Sequence, residues 1–228
     1  MATLLLRLAA PLQSWGVDSK FETRRTGREP SKSGVIGMVA AALGLRRDQM
    51  EELQALSQLR FGVRVDQEGS LLRDFHIAQA QKASYLTYRY YLEDAIFLVG
   101  LESEDISLLQ QLDDALRHPV FPLFLGRRSC PPTFPLVLGI RETELVNALR
   151  GEPWLISPSR QAKASPNLRL ITDATPGQQS FAIQRDVPVS FDPHHRQFTD
   201  RAIFTHPRVT MISKDETIHN PMQELEGD

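Results

Sequence analysis

Arg24, Arg25, Arg28 and Lys32 fall close together in this chain, with the hydroxyls of Ser31 and Ser33 among them. They lie in the run Thr23-Arg24-Arg25-Thr26-Gly27-Arg28-Glu29-Pro30-Ser31-Lys32-Ser33-Gly34. Guanidinium groups clamp phosphate oxygens in pairs, and an ammonium adds a compact positive charge. A helix starting at the end of such a run adds free backbone N–H groups and the positive end of its dipole. The chemistry these residues suit is the holding of phosphates. Nucleotide hydrolysis does not follow, because the P-loop needs a glycine just before its lysine and that position is Ser31. A solvated loop with a good helix cap is the plainer reading of the same residues.

Arg127 and Arg128 form a second basic pair, preceded by Gly126 and followed by Pro131-Pro132. Glycine lets a backbone approach a ligand closely, although most such pairs are exposed turns. Arg73, His76, Lys82, Tyr85 and Arg89 lie in the mixed stretch from Leu71 to Tyr91. Tyr85, Tyr88, Tyr90 and Tyr91, interleaved with Arg89, suit stacking on the bases of single-stranded RNA. Strand alternation turns about half of them toward a core. His76 with Lys82 and Tyr85 suits the base and acid of a metal-free ribonuclease, but three common residues more often contact a ligand. The Lys/Arg-Gly-aromatic signature of an RNA recognition motif is missing. The histidines lack metal-ligand spacing, so neither metal nor cofactor is expected. Cys130, the single cysteine, reads as a packed thiol and allows no internal disulfide.

The 228 residues can bury a substantial core, and the formal net charge of −2 argues against a protein that coats nucleic acid by itself. The charge is unevenly spread. Residues 1–47 hold eight Lys or Arg against Asp18, Glu22 and Glu29, whereas residues 90–116 hold seven acids and no base. The stretch from Asp215 to Asp228 is acid-rich as well. This suits a subunit with an anionic ligand on one side and another partner elsewhere. No apolar run is long enough to span a bilayer, and Arg7 interrupts the leucines of the N-terminus, so the expectation is a cytoplasmic protein without a signal peptide.

Periodicity supplies the elements that must position these groups. Leu4 to Ala9 reads as a buried strand, and Ser31 or Ser33 as the cap of a helix running to about Leu43, with Gly44 its terminator. A helix over about 48–57, a strand over 60–66, an extended hairpin over 71–91 and a strand over 94–101 follow. Ser103 is expected to cap an amphipathic helix to about Arg117, with acids in its first turn. Two short apolar segments flank Gly126 to Pro132. The order fits an α+β, ferredoxin-like (RRM-like) sheet with helices on one face. Four prolines between Gly151 and Ser180 predict a long loop, and short strands are expected at 188–191 and 203–211.

Taken together, these blocks resemble the CasD family, the Cas-five subunit of type I-E CRISPR Cascade complexes. The resemblance rests on Leu6-Arg7-Leu8-Ala9, Pro11-Leu12-Gln13-Ser14-Trp15-Gly16, Thr26-Gly27-Arg28 with Pro30 and Ser33-Gly34, and Leu72-Arg73-Asp74-Phe75-His76. It continues through Tyr91-Leu92-Glu93-Asp94-Ala95 and Leu125-Gly126-Arg127-Arg128-Ser129-Cys130-Pro131, with a weaker echo at Arg185-Asp186 and Arg196-Gln197-Phe198. The resemblance implies a RAMP palm over residues 1–145, a protruding thumb hairpin at about 71–91, and a smaller, β-rich, loop-rich region over 146–228. It also implies a non-catalytic subunit that holds the five-prime handle of the CRISPR RNA. The implied protein partners are the neighbouring backbone (Cas-seven) subunit and the large subunit (CasA), with target DNA reached through the complex. A metal-independent endoribonuclease, as in the type I-C branch, is the alternative. The expected RNA-binding residues are Arg24, Arg25, Arg28, Ser31, Lys32, Ser33, Arg73, His76, Lys82, Tyr85, Arg89, Arg127 and Arg128.

Overall fold

The leucine-rich N-terminus forms the strand on which the rest is assembled. The structure is a computed structural model that describes residues 1–16, 22–79, 84–179, 182–192 and 194–211. Strand β1 (Ala2–Ala9) is followed by the short β2 (Leu12–Gln13) and β3 (Thr23–Arg24), then helices α1 (Lys32–Ala42) and α2 (Met50–Ser57). Strands β4 (Arg60–Gln67), β5 (Ser70–Gln79), β6 (Ser84–Glu93) and β7 (Ile96–Ser103) come next, then α3 (Ile106–Arg117) and β8 (Val137–Arg141). The chain continues through α4 (Leu145–Gly151), α5 (Pro158–Gln161), β9 (Asn167–Asp173), β10 (Ala182–Ser190), β11 (Gln197–Thr205) and β12 (Val209–Thr210).

The main sheet runs β10-β11-β9-β4-β7-β1-β8, with every pairing antiparallel. Its β4-β7-β1-β8 portion has the ferredoxin-like order, so the expected α+β palm is present. Leu4, Leu6 and Leu8 face a core shared with α1, α2 and α3, whereas Leu5 points to the opposite face. Alternation along a strand buried on both faces requires this division.

Helices cover both faces rather than one. Helix α4, which sequence reading missed, packs Leu145 and Leu149 onto Leu5, Leu98 and Leu170. Gly100 makes room for it, since a Cβ there would lie 2.5 Å from Leu145 Cδ1. A seven-residue helix has too little periodic pattern to stand out. The expected loop over 151–180 is corrected as well, because β9 lies inside it with Leu168, Leu170 and Thr172 buried. Proline frequency outweighed a short strand whose flanks carry all four prolines. The cap of α3 is Asp105 rather than Ser103: Asp105 Oδ1 accepts from the Ser107 and Leu108 N–H groups at 2.9 and 3.1 Å. Strands β10 and β11 extend beyond the short segments expected there, and β9 joins them to the β4 edge of the sheet.

The hairpin expected over 71–91 is β5–β6, paired in continuous antiparallel register from Ser70–Glu93 to Gln79–Ser84. It belongs to a second, smaller sheet with β2 and β3, and β3 lies parallel to β6. Most of β5 is exposed, as a hairpin standing away from the core must be.

Candidate nucleic-acid interface

The motif from Pro11 to Gly16 works as a clamp that brings the basic segments together. Gln13 Nε2 donates to the Ala95 carbonyl at 2.7 Å, and buried Trp15 donates from Nε1 to Gln13 Oε1 at 3.2 Å. Trp15 also accepts from the Gly27 N–H through its carbonyl at 2.6 Å, which pins the arginine-rich loop. The Ser14 N–H donates to the Leu125 carbonyl at 3.1 Å. At Gly126, φ is +84° and a Cβ would sit 1.6 Å from the Ser14 carbonyl oxygen, so only glycine fits.

From that clamp Arg127 and Arg128 leave in different directions. Arg127 donates from Nη2 to the Arg24 carbonyl at 3.0 Å, and its guanidinium lies 4.6 Å from the centroid of the Tyr91 ring. The parallel β3–β6 pairing sets Arg24 beside Arg89. Arg24, Arg89 and Arg127 thus meet at the root of the hairpin, and Arg127 Nη1 and Arg89 Nε are buried donors without an acceptor among the described residues. Such donors suit an anion supplied from outside.

Arg128 instead lines a cleft of about 580 Å³ between α1, the 121–128 segment and the β10–β11 connection. Among the described residues its charged lining consists of Arg46, Arg47, Arg128 and Arg196, with no carboxylate. Ser14, Ser31 and Ser33 line one part, and Phe121, Phe124, Phe191 and Phe198 supply aromatic surface. Sequence reading did not single out Arg46, Arg47 and Arg196, which the fold brings to the cleft. The Arg46-Arg47 pair just past the Gly44 helix stop was the available signal, whereas Arg196 enters only through the sheet.

Two of the expected ligands have partners inside the fold. Lys32 is buried, and its Nζ lies 2.9 Å from Asp173 Oδ2. Its backbone N–H donates to Asp186 Oδ2 at 2.7 Å, so an internal carboxylate occupies the first N–H of α1. Arg201 joins the two acids, donating to Asp186 Oδ1 and Asp173 Oδ1 at 2.6 Å each. Burial pulls the Arg201 guanidinium down, but Asp186 and Asp173 outweigh it and hold it above its ordinary value. Ser31 is the buried N-cap, accepting from the Gly34 N–H at 3.3 Å. The helix N-terminus read as a phosphate cradle has partners inside the fold, because β9 and β10 carry Asp173 and Asp186 to it.

Arg25 and Arg28 are exposed, and Ser33 is half-buried in the cleft wall. On the hairpin, the pairs Ala78–Tyr85, His76–Thr87, Asp74–Arg89 and Leu72–Tyr91 place His76, Tyr85, Arg89 and Tyr91 on one face. His76 Nε2 lies 2.9 Å from Asp74 Oδ2 without hydrogen-bond alignment. Arg73 is on the other face, 5.3 Å from the Tyr88 ring centroid. Lys82 lies outside the described residues, as does the acidic stretch from Asp215. Cys130 is buried, and that burial pushes its thiol pKa up, away from nucleophilic use. Among the described residues no group of three or more His, Cys, Asp or Glu is arranged to hold a metal.

Comparison with known proteins adds to this geometry. A family model described as "CRISPR-associated protein (Cas_Cas5)" matches residues 3–203, a span that includes every residue of the cleft. The CRISPR system Cascade subunit CasD of Escherichia coli (strain K12) is 39% identical over 156 residues, covering 60% of this chain and 70% of that protein. A solved structure described as a CRISPR RNA-guided surveillance complex is 34% identical, with a TM-score of 0.76 and 91% of each chain covered. Another, described as the crystal structure of a Cas protein, is 38% identical with a TM-score of 0.71, covering 91% of this chain and 95% of that one.

Proposed function

This chain belongs to the CRISPR-associated Cas5 family, and from that premise we propose that it is a non-catalytic subunit of a type I-E Cascade complex that holds the five-prime handle of the CRISPR RNA. The observation that carries this reading is the cleft whose charged lining among the described residues is arginine, with the Arg24–Arg89–Arg127 cluster at the hairpin root. Phosphate contacts set the position of the RNA, and splayed bases give the sequence preference. Arg24, Arg25, Arg28, Ser33, Arg89, Arg127 and Arg128 contact the RNA, joined by Arg46, Arg47 and Arg196. Arg73, His76 and Tyr85 contact it from the hairpin, while Ser31 and Lys32 act within the fold. Exposed Leu71, Phe75, Ile77 and Leu86 share the other hairpin face and suit a protein neighbour, the backbone or large subunit. No helix among the described residues is long and apolar enough to cross a membrane, and a cytoplasmic location is part of this proposal.

Titration of the full-length protein with handle RNA and scrambled RNA across a salt series tests it. Arg28→Ala, Arg127→Ala and Arg128→Ala are each expected to weaken handle binding and to shallow the logarithmic salt slope by about 0.7 for each phosphate no longer neutralised. Unchanged binding and Cascade assembly in all three variants would remove the site. Repeat RNA incubated with the protein in EDTA is expected to stay intact. Specific cleavage, blocked by a 2′-deoxy at the cut site, would instead establish the ribonuclease reading.

A further inference from the structure

A strand at the edge of a sheet carries unpaired backbone groups, and folded chains interrupt such edges to keep other strands away. The main sheet does so at both ends. Strand β8 is five residues long, with a register shift against β1 and Gly139 at φ +97°. Strand β10 has two register shifts and holds Pro188. Strand β5 has none of these devices. It runs ten residues without Gly, Pro or Lys, keeps an unbroken register with β6, and pairs with no other strand among the described residues.

The free groups of β5 point outward at alternate residues. The Tyr88 N–H donates to the Glu22 carbonyl at 2.8 Å, away from β5, so its partner Phe75 is not hydrogen-bonded to β6. The Phe75 N–H accordingly faces the open edge, where Asp74 Oδ1 accepts it at 2.8 Å. Alternation turns the N–H and C=O groups of Leu71, Arg73, Phe75, Ile77 and Gln79 the same way. Leu71, Phe75 and Ile77 are 64, 62 and 65% exposed, so apolar surface runs beside those groups.

We propose that in the free subunit this edge pairs with the β5 edge of a second copy, antiparallel about a two-fold axis at Phe75. Charge complementarity selects the register. With Phe75 opposite its own copy, Asp74 of each chain faces His76 of the other, at the positions where paired side chains come closest. A two-fold centred on Arg73, Asp74 or His76 would set that residue against itself. In the Phe75 register the two rings meet at the axis. Asp74 there gives up the Phe75 N–H to the carbonyl of the other copy and turns to His76. One edge cannot serve a second copy and a neighbouring subunit at once, so this pairing keeps the free hairpin covered until assembly. It requires no RNA and does not rest on the handle reading.

Sedimentation of the full-length chain without RNA, across the micromolar range, is expected to show the mass of one chain giving way to that of two. Phe75→Lys sets like charges against each other at the axis and is expected to weaken dimerisation by about tenfold or more. Cysteine substitution reads the register, since the native Cys130 is buried. Phe75→Cys is expected to cross-link with its own copy under mild oxidation, because the pairing puts the two Cα atoms about 5.5 Å apart. Ile77→Cys is expected to stay uncross-linked, because its two copies are offset by about 14 Å along the strands. Both positions are exposed, so the variants keep the fold. The mass of one chain at every concentration would overturn the proposal and leave the edge to another subunit. A dimer that Phe75→Lys leaves intact, or equal cross-linking of the two cysteine variants, would overturn it as well.

Discussion

At the scale of single residues, the same basic type does opposite work depending on what surrounds it. Lys32 and Arg128 both read as phosphate ligands, yet Lys32 is buried against Asp173 and Arg128 is exposed at the cleft. Lys32→Ala is therefore expected to cost about 2–3 kcal/mol of stability, less than the ~3–5 for a buried charge left wholly alone. Asp173 keeps Arg201 and the Phe61 N–H as partners, the latter donating at 3.0 Å. Arg128→Ala is expected to leave urea unfolding within about 0.5 kcal/mol of wild type. Equilibrium unfolding of the two variants side by side checks this, and equal stability would show that the buried ion network is not what holds Lys32.

At the scale of elements, the site depends on short connections braced against the strands. The 125–128 segment is fixed by Ser14, the cleft floor by the Ser31 cap of α1, and the far wall by the turn between β10 and β11. Gly126→Ala sets a methyl group against a backbone oxygen at a positive φ, so the segment must move. The expected cost is about 3 kcal/mol or more, with RNA affinity falling as far as in the Arg127→Ala/Arg128→Ala double variant. Urea unfolding and RNA titration of the same preparation measure both effects. A stable variant with full affinity would mean that this segment does not position the two arginines.

For the whole molecule, the sheet extension by β9, β11 and β10 ties the chain's second half to the palm and introduces a pH dependence. His206 follows β11, with its Nε2 2.9 Å from Thr172 Oγ1 and its ring edge-on to Phe204 at 4.7 Å. Burial lowers its pKa from 6.5, and the charges of Arg150 and Arg60 lower it further. The unfolded chain takes up this proton near 6.5 while the folded chain takes it up only at lower pH, so the unfolded state binds more protons in between. Stability from this group is complete above that value and falls as pH drops from 6.5 toward the folded pKa. The melting midpoint is expected to drop between pH 7.5 and 5, and to drop less in His206→Gln. Identical pH profiles would assign the acid loss to other groups.

Elements with a local signal were legible in the order of residues. The leucines of β1, the small residues of α1 after Ser31, the apolar spacing of α3 and the strand order of the palm all follow from periodicity and capping, which act within a few residues. Arg24, Arg89 and Arg127 were singled out by residue type alone, and the fold gathers them at the hairpin root. Which cations line the cleft and which are neutralised inside was decided only when the chain folded. Asp173 and Asp186 lie 141 and 154 residues from Lys32, and they reach it because β9 pairs with β4 and β11 bridges β9 to β10. The same pairings carry Phe191, Arg196 and Phe198 to α1 and close the cleft. A charge is fixed by its residue, but the partner that neutralises it is set by approaches between segments far apart in the chain.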